Sequence, residues 1–513
     1  MRKIFITILV FFISCDKKEI GYNEKFRPQF HFSPKLGWMN DPNGMFYING
    51  DYHLFYQYYP DDNVWGPMHW GHAVSKDLIH WKNEPIAIYP DGNNYIFSGS
   101  AIVDQENKSG LGNGVNPPIL AYYTNHDMLL ERFWNGSKDS LFIDVETQHL
   151  AYSQDLGKTW VKYNNNPVIK NPGYRDYRDP KVTWLKEQEK WIISLAARDR
   201  IMFYSSKNLI EWEYLSDFKN IGERNGVWEC PDLFPLIDEN GNKKWILFVS
   251  INKNSPNGGS GTQYFIGDFD GESFKIDDNF LGDNNSIWID YGSDNYAGVT
   301  WNNTPPNNFK SRKFIGWMSN WRYGQVVPTF KWRSAMTIPR NISLYLDKEK
   351  RYRLKFNPIS LEKIVSKSNS SHNKKNKIKI SGNQNRFFIS DFSSNKFDIK
   401  FSNNEEDLSI KFSSNTFEID RSNFNYKSIN PDPKRTYKKE IFENSFIKNQ
   451  TAKYNSEVKS IEIILDKSSI ELFINDGELV MTDVFFYNNE FQLMELSGLD
   501  DFKIEEQTLN SIW

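Results

Sequence analysis

The residues best suited to chemistry in this chain are three carboxylates, each in a short stretch that contains proline. The stretches are Trp38-Met39-Asn40-Asp41-Pro42-Asn43-Gly44, Arg178-Asp179-Pro180 and Trp228-Glu229-Cys230-Pro231-Asp232. Alone, Asp41 reads as a carboxylate that opens a turn, because Pro presets one turn angle and Asn and Gly tolerate the left-handed one. Arg178 and Asp179 alone read as a surface ion pair. Three carboxylates in such settings together suggest a functional site.

The elements that must position these residues are short strands. From about Tyr47 to Pro339 the chain is broken by Gly, Asn, Asp and Pro, with no long stretch of helical period. A strand, a polar turn and a returning Trp recur at residues 72–81, 151–160 and 203–212, with a degenerate copy at 266–271. Hairpins repeated at wide spacing predict a β-propeller. A sandwich with accidental similarity is the alternative.

The pattern changes after Arg340. Apolar and polar residues alternate strictly at 397–401, 408–412, 461–465 and 470–474, and Asn475-Asp476-Gly477 closes the last run. Period-two strands with an Asp-Gly turn indicate antiparallel sheets with one face in water. The sequence therefore predicts an all-β protein, with a propeller over residues 26–340 and a β-sandwich over residues 350–513.

Size and composition limit the possible functions. A chain of 513 residues is too long for one typical core, so two domains are expected. A net charge of -3 and a pI near 6.3 exclude the electrostatic footprint of nucleic-acid binding. Aromatic residues make up 16% of the chain, as in sugar-binding clefts, although an aromatic β core reads the same way. No cluster has metal-ligand spacing and no Gly-rich loop cradles phosphate, so no metal or cofactor is expected.

The N-terminus reads as a targeting segment. Arg2 and Lys3 precede an apolar run at residues 4–13, which is too short to span a membrane as a mature helix. The run ends at Ser14-Cys15 and resembles a bacterial lipoprotein signal, which predicts lipidation at Cys15, export, and membrane contact only through that anchor. Phe12, where such signals usually have Leu, leaves ordinary secretion open. The only other cysteine is Cys230, so no disulfide is expected.

The three carboxylate motifs, in this order, resemble the signature blocks of glycoside hydrolase family 32. This family comprises the β-fructofuranosidases, which include invertases, inulinases and levanases. Residues 469–486 resemble its C-terminal module, so the resemblance covers nearly all of the chain after residue 26. It implies five propeller blades, no cofactor, and a retaining enzyme that releases fructose from levan, inulin, fructo-oligosaccharides or sucrose.

The resemblance also assigns roles to the carboxylates. Asp41 matches the nucleophile that attacks the anomeric carbon of a fructosyl unit, and Asn40 is expected to hold it ionised by hydrogen bonding. Glu229 matches the general acid and base. Asp179 matches the third acid, which binds ring hydroxyls more strongly as charge develops, and Arg178 is expected to lower a carboxylate pKa and contact the sugar.

Further stretches resemble the sugar-binding surface of the family. The predicted ligands or walls are Gln57, Trp65, Phe97, Ser98, Asp294 and Trp317. Asp294 comes from residues 290–297, where Asn295 replaces the usual Phe, and Trp317 comes from a Trp-rich stretch at 316–321.

Two other functions are compatible with parts of this pattern. A fructosyltransferase shares the covalent intermediate but passes it to a sugar. A non-catalytic glycan-binding propeller is expected to lack at least one catalytic acid, whereas all three are present here. The choice among levan, inulin and sucrose depends on loop shapes, and neither exo action nor oligomeric state follows from the residues.

Overall fold

A computed structural model describes residues 21–133, 145–305, 309–372, 376–380, 382–424, 444–446 and 448–513. These residues form 35 strands in seven sheets, with an α-helix, α1 (Met128–Phe133), a single helical turn at 444–446, and short 3-10 turns at Lys186–Gln188 and Glu362–Ile364. In these ranges no helix is both long and apolar enough to cross a membrane. The predicted signal at residues 1–15, including Cys15, lies outside the described residues.

The first three sheets follow one another along the chain, and each contains an antiparallel meander of four consecutive strands. The first contains β1 (Gly37–Ile48), β2 (Asp51–Tyr59), β3 (His69–Ser75) and β4 (Trp81–Ile88). The second contains β5 (Asn94–Val103), β6 (Ile119–Asp127), β7 (Glu146–Ser153) and β8 (Val161–Lys162). The third contains β9 (Tyr177–Leu185), β10 (Lys190–Ala197), β11 (Arg200–Ser206) and β12 (Glu213–Lys219).

Two further sheets continue the series, each with a short extra strand. The fourth contains β13 (Trp228–Ile237), β14 (Lys243–Ile251), β15 (Gly261–Phe269), β16 (Phe274–Ile276) and β17 (Ile287–Trp288). The fifth region contains β18 (Tyr296–Thr300), β19 (Arg312–Met318), β20 (Trp332–Arg333), β21 (Ala335–Met336), β22 (Arg340–Leu346) and β23 (Tyr352–Pro358). Of these, β20 pairs in parallel with β1 and so joins the last part of the propeller to the first sheet.

The five sheets are the blades of a propeller. Their first strands β1, β5, β9, β13 and β18 contact one another in sequence, and β18 returns to β1, which closes the ring. Each copy of the sequence repeat is the turn between the third and fourth strands of a blade. The turn is held by an Asp or Asn side chain that accepts backbone N–H groups, as Asp77 and Asn208 do. The predicted five-bladed propeller is confirmed.

Two six-stranded sheets form the second domain. They contain β24 (Val365–His372), β25 (Lys377–Lys379), β26 (Asn385–Ser390), β27 (Phe397–Ser402), β28 (Asp407–Ser413), β29 (Thr416–Asp420), β30 (Gln450–Lys453), β31 (Ser460–Asp466), β32 (Ser469–Ile474), β33 (Leu479–Val484), β34 (Leu493–Ser497) and β35 (Lys503–Leu509). Apolar residues from both sheets share one core, so the predicted β-sandwich is confirmed. The domain boundary at residues 340–350 stays a prediction, and the fifth blade itself runs to Pro358.

Buried charges join the propeller to the sandwich. Glu471 of β32 accepts hydrogen bonds from Arg340 at 2.6 Å and from His31 at 2.9 Å. The other ring nitrogen of His31 lies 2.8 Å from Asp466. Burial lowers the pKa of His31, but the two carboxylates outweigh burial and raise it to about 9. His31 is therefore an imidazolium that bridges two sandwich carboxylates.

The raised pKa of His31 predicts a pH-dependent stability. Because the folded value of about 9 exceeds the ordinary value of 6.5, the stabilisation is complete below 6.5 and is lost as pH rises through 9. The loss amounts to at most about 3 kcal/mol. We expect the Tm of His31→Gln to be lower than that of the wild type at pH 6.5. Between pH 6.5 and 9, the Tm of the wild type is expected to fall more than that of the variant. Parallel pH curves for the two proteins would contradict this assignment.

Candidate active site

The innermost strands share a local irregularity at one end of the propeller. In all five, a register shift lies near the start of the strand, where two residues face one partner residue. β-bulges of this kind turn side chains away from the regular alternation. The positions affected are Asn40-Asp41, Phe97-Ser98, Asp179-Pro180, Cys230-Pro231 and Ala297-Gly298.

Backbone strain accompanies these bulges. Asp179, Cys230 and Ala297 have φ angles of 67°, 46° and 53°, a region that residues with a side chain seldom occupy. Such conformations persist only where the surrounding structure fixes them, and they are concentrated at functional sites. The proline in each of the three carboxylate motifs is compatible with the bulge, because proline has no backbone N–H that needs a partner in the strand ladder.

Side chains from three of the five bulges, and from residues next to the bulges, line a cavity of about 220 Å³. Its lining residues are Asn40, Asp41, Gln57, Trp65, Phe97, Ser98, Arg178, Asp179, Glu229, Trp321 and Gln325. Nine of these were predicted from the sequence as site residues, and the structure brings them together. Trp321 and Gln325 were not selected, although Trp321 lies in the Trp-rich stretch that drew attention to Trp317.

Asp41 is held by three side-chain donors. Asn40 donates to one carboxylate oxygen at 2.9 Å, and Ser98 donates to the other at 2.8 Å. The Cys230 thiol lies 3.5 Å from that second oxygen. Burial raises the pKa of Asp41 above its usual value, and these three donors oppose that rise without cancelling it. Hydrogen bonds to the charged form favour an ionised carboxylate.

Asp179 lies on the other side of the same thiol. The Cys230 sulfur is 3.6 Å from Asp179, and the Cys230 N–H donates to that oxygen at 2.9 Å. Burial and the neighbouring Glu229 charge raise the pKa of Asp179 well above its usual value, with Arg178 opposing them. Cys230 is a buried free thiol whose own pKa is raised by burial and these carboxylates, so it bridges the two acids as a neutral donor.

Glu229 is placed differently. Arg178 donates to one of its oxygens at 3.1 Å, and the Tyr296 hydroxyl donates to the other. Burial raises the pKa of Glu229 to about 7, because it outweighs the lowering by Arg178 and Tyr296. A carboxyl group with this value holds its proton near neutral pH and can still release it, as a general acid and base must.

The aromatic wall of the cavity differs from the sequence prediction at one position. Trp65 and Phe97 line the cavity as expected, and their rings meet edge to face at 6.1 Å. Trp317 is fully buried and packs behind the wall against Trp38 and Trp321. The prediction that Trp317 faces the cavity is wrong, and Trp321, which is only partly buried, lines the cavity instead.

The prediction of Asp294 as a sugar ligand is also wrong. Its side chain is fully buried between the propeller and the sandwich. One oxygen accepts from the Tyr323 hydroxyl at 2.8 Å, and the other accepts from Arg421 at 3.2 Å and from the Val484 N–H at 2.9 Å. Both oxygens are thus used within the protein. Tyr296, which contacts Glu229, lies two residues away in the same stretch and was not selected.

In the described part of the chain, no group of three His, Cys, Asp or Glu side chains is arranged to hold a metal ion. The cavity instead brings together three carboxyl groups, each with its own set of hydrogen-bond partners.

Comparison with known proteins places this arrangement in a family. The model of the glycosyl hydrolases family 32 N-terminal domain matches residues 31–358, and that of the family 32 C-terminal domain matches residues 347–508. The chain belongs to glycoside hydrolase family 32. Its residues align with 75% of a levanase from Bacillus subtilis at 41% identity over the whole chain. They align with 96% of an extracellular exo-inulinase from Aspergillus niger at 33% identity over 96% of the chain.

Solved structures give the same result. The exo-inulinase from Aspergillus awamori superimposes with a TM-score of 0.84 at 31% identity, covering 96% of this chain and all of that chain. A fructofuranosidase from Schwanniomyces occidentalis, solved with fructose, superimposes with a TM-score of 0.81 at 33% identity and the same coverage. Membership of this family makes the protein a glycoside hydrolase.

The corrected position of Asp294 is testable. Removing its charge leaves Arg421 with less compensation in the interface, which costs up to about 3–5 kcal/mol for a broken buried pair. We expect Asp294→Asn to lower the Tm by several degrees and to leave the KM for sucrose within about twofold at a temperature where it is folded. A large rise in KM without a change in Tm would restore the ligand role.

Proposed function

We propose that the protein is a retaining β-fructofuranosidase that releases fructose from fructans such as levan or inulin, and from sucrose. The observation that carries this proposal is the contrast between two carboxyl groups in one cavity. Burial raises the pKa of both groups. Asp41 is surrounded by three side-chain donors that favour its ionised form, whereas the pKa of Glu229 reaches about 7. One ionised and one protonated carboxyl group are what a retaining glycosidase needs.

The chemistry then follows in two steps. Asp41 attacks the anomeric carbon of the terminal fructosyl unit while Glu229 gives its proton to the leaving oxygen, and a covalent fructosyl ester forms. Glu229, now ionised, takes a proton from water, and the water oxygen attacks the same carbon and releases Asp41. Asp179 contacts the ring hydroxyls, and its interaction strengthens as positive charge develops on the sugar ring.

The remaining lining residues form the pocket for one sugar ring. Trp65, Phe97 and Trp321 give apolar faces on which a sugar ring packs. Asn40, Gln57, Ser98 and Arg178 supply polar groups for its hydroxyls, and Gln325 adds one at the rim. A pocket of about 220 Å³ fits one monosaccharide unit better than a polymer segment, which favours release of single fructose units from a chain end.

The activity is tested by a timed analysis of products with levan, inulin and sucrose offered separately. We expect fructose as the earliest product, and a loss of about 100- to 10,000-fold in Glu229→Gln because the general acid is gone. Glu405→Gln, a matched change at an exposed carboxylate of the sandwich, is expected to keep full activity.

The outcomes distinguish the alternatives. Release of fructo-oligosaccharides before fructose would contradict exo action. Growth of the donor into longer oligosaccharides would identify a fructosyltransferase, and no release from any of the three substrates would favour a glycan-binding protein.

We also propose that the protein is exported and anchored by a lipid on Cys15. Two features support this: the lipoprotein-like segment at residues 1–15 and the relatives described as extracellular. We expect wild-type protein in the membrane fraction, released by detergent, and Cys15→Ala in the soluble fraction after expression in a bacterium. Cys15→Ala that stays with the membrane would contradict a lipid anchor at this residue.

A further inference from the structure

A buried histidine lies behind the cavity wall and is absent from the roles assigned so far. His126, near the end of β6, is 4% exposed. Its ring stacks on Phe97, with ring centroids 4.4 Å apart and planes 12° from parallel. Phe97 forms part of the cavity wall, so the imidazole supports that wall from behind.

Both ring nitrogens of His126 face carboxylates. Nδ1 lies 3.1 Å from Glu146 of β7, and Nε2 lies 3.1 Å from Glu131 of α1. A neutral imidazole has only one N–H, so two carboxylate partners require the doubly protonated form. Burial lowers the pKa of His126, but hydrogen bonds with Glu131 and Glu146 outweigh it and raise the value. An imidazolium therefore stands next to the catalytic cavity.

Glu146 connects this imidazolium to the acid and base. The same Glu146 oxygen that faces His126 lies 2.9 Å from Arg178, and the other oxygen accepts the Tyr177 N–H at 2.6 Å. Arg178 in turn donates to Glu229 at 3.1 Å and to Asp176 at 2.6 Å. Arg178 is thus shared among three carboxylates, and the positive charge of His126 balances one of them.

We propose that His126 is a positioning residue: as an imidazolium it neutralises Glu146, so that Arg178 remains directed at Glu229, and its ring fixes Phe97. This inference rests on the proposed role of Glu229 as the acid and base. The charged groups that face His126 from the packed elements are Glu131 on α1, Glu146 on β7 and Arg178 on β9.

The sign of the effect on Glu229 follows from these charges. Without the imidazolium, Glu146 attracts Arg178 more strongly and draws it away from Glu229. The site also becomes more negative. Both changes disfavour ionised Glu229, so its proton is held to higher pH.

The test compares pH profiles of kcat/KM for fructose release. His126→Phe keeps a ring against Phe97 but removes the charge and both hydrogen bonds. We expect kcat/KM to fall about tenfold at the optimum and the alkaline limb to move up by about half a unit to one unit. His126→Gln is expected to show the same shift, because it is also uncharged.

Glu131→Gln gives a second, milder variant. The Glu131 side chain is 45% exposed and lies 3.1 Å from His126. Its loss makes the imidazolium less stable, so we expect a smaller shift of the alkaline limb in the same direction. This variant keeps the proposal testable if the His126 variants fail to fold.

The outcomes separate the possibilities. If kcat/KM falls in all variants but the alkaline limb of the pH profile does not move, the proposal is overturned and His126 is a packing residue. pH profiles identical to that of the wild type would overturn it as well. Absence of fructose release by the wild type would instead reject the proposed function itself.

Discussion

The structure depends on holding three carboxyl groups in one small buried cavity. Asp41, Asp179 and Glu229 each lose solvent there, and each would repel the others if all were ionised. The protein meets this constraint by giving each group different partners. Asp41 receives three donors, Glu229 shares the Arg178 guanidinium, and the Cys230 thiol and N–H separate Asp41 from Asp179. The division of acid and base roles follows from this difference in partners.

The propeller ring positions these three carboxyl groups. Each of the five innermost strands carries a bulge, and three of these bulges place side chains in the cavity. The sandwich contributes indirectly. Asp294 and Arg421 hold Tyr323, and Asn320 donates to the Ser293 carbonyl at 2.7 Å. These contacts lie at the two ends of the short segment that carries Trp321, so the interface between the domains borders one wall of the site.

Much of this could be predicted from local sequence. The three carboxylates lie in proline-containing motifs, the blade turns repeat along the chain, and the sandwich strands alternate strictly. What could not be predicted depends on contacts between distant elements. Asp294 resembles a ligand in its own stretch and becomes an interface residue only because Arg421, 127 positions later, folds against it. Trp317 and Trp321 are equally aromatic and both pack against Trp38. Trp317 is fully buried because it lies within β19, whereas Trp321 follows that strand and lines the cavity. His126 lies in no motif and meets Glu146 and Phe97 only after β5, β6 and β7 pair.

The measurement that tests the division of roles most directly is a search for the covalent intermediate. Glu229→Gln is mixed with an activated fructoside whose leaving group needs no acid, quenched rapidly in acid, digested and mapped by mass spectrometry. The account expects one fructosyl unit on the peptide that contains Asp41, because the nucleophile is intact while the base that would activate water is gone. A label on Asp179, or none during continued turnover, would contradict it.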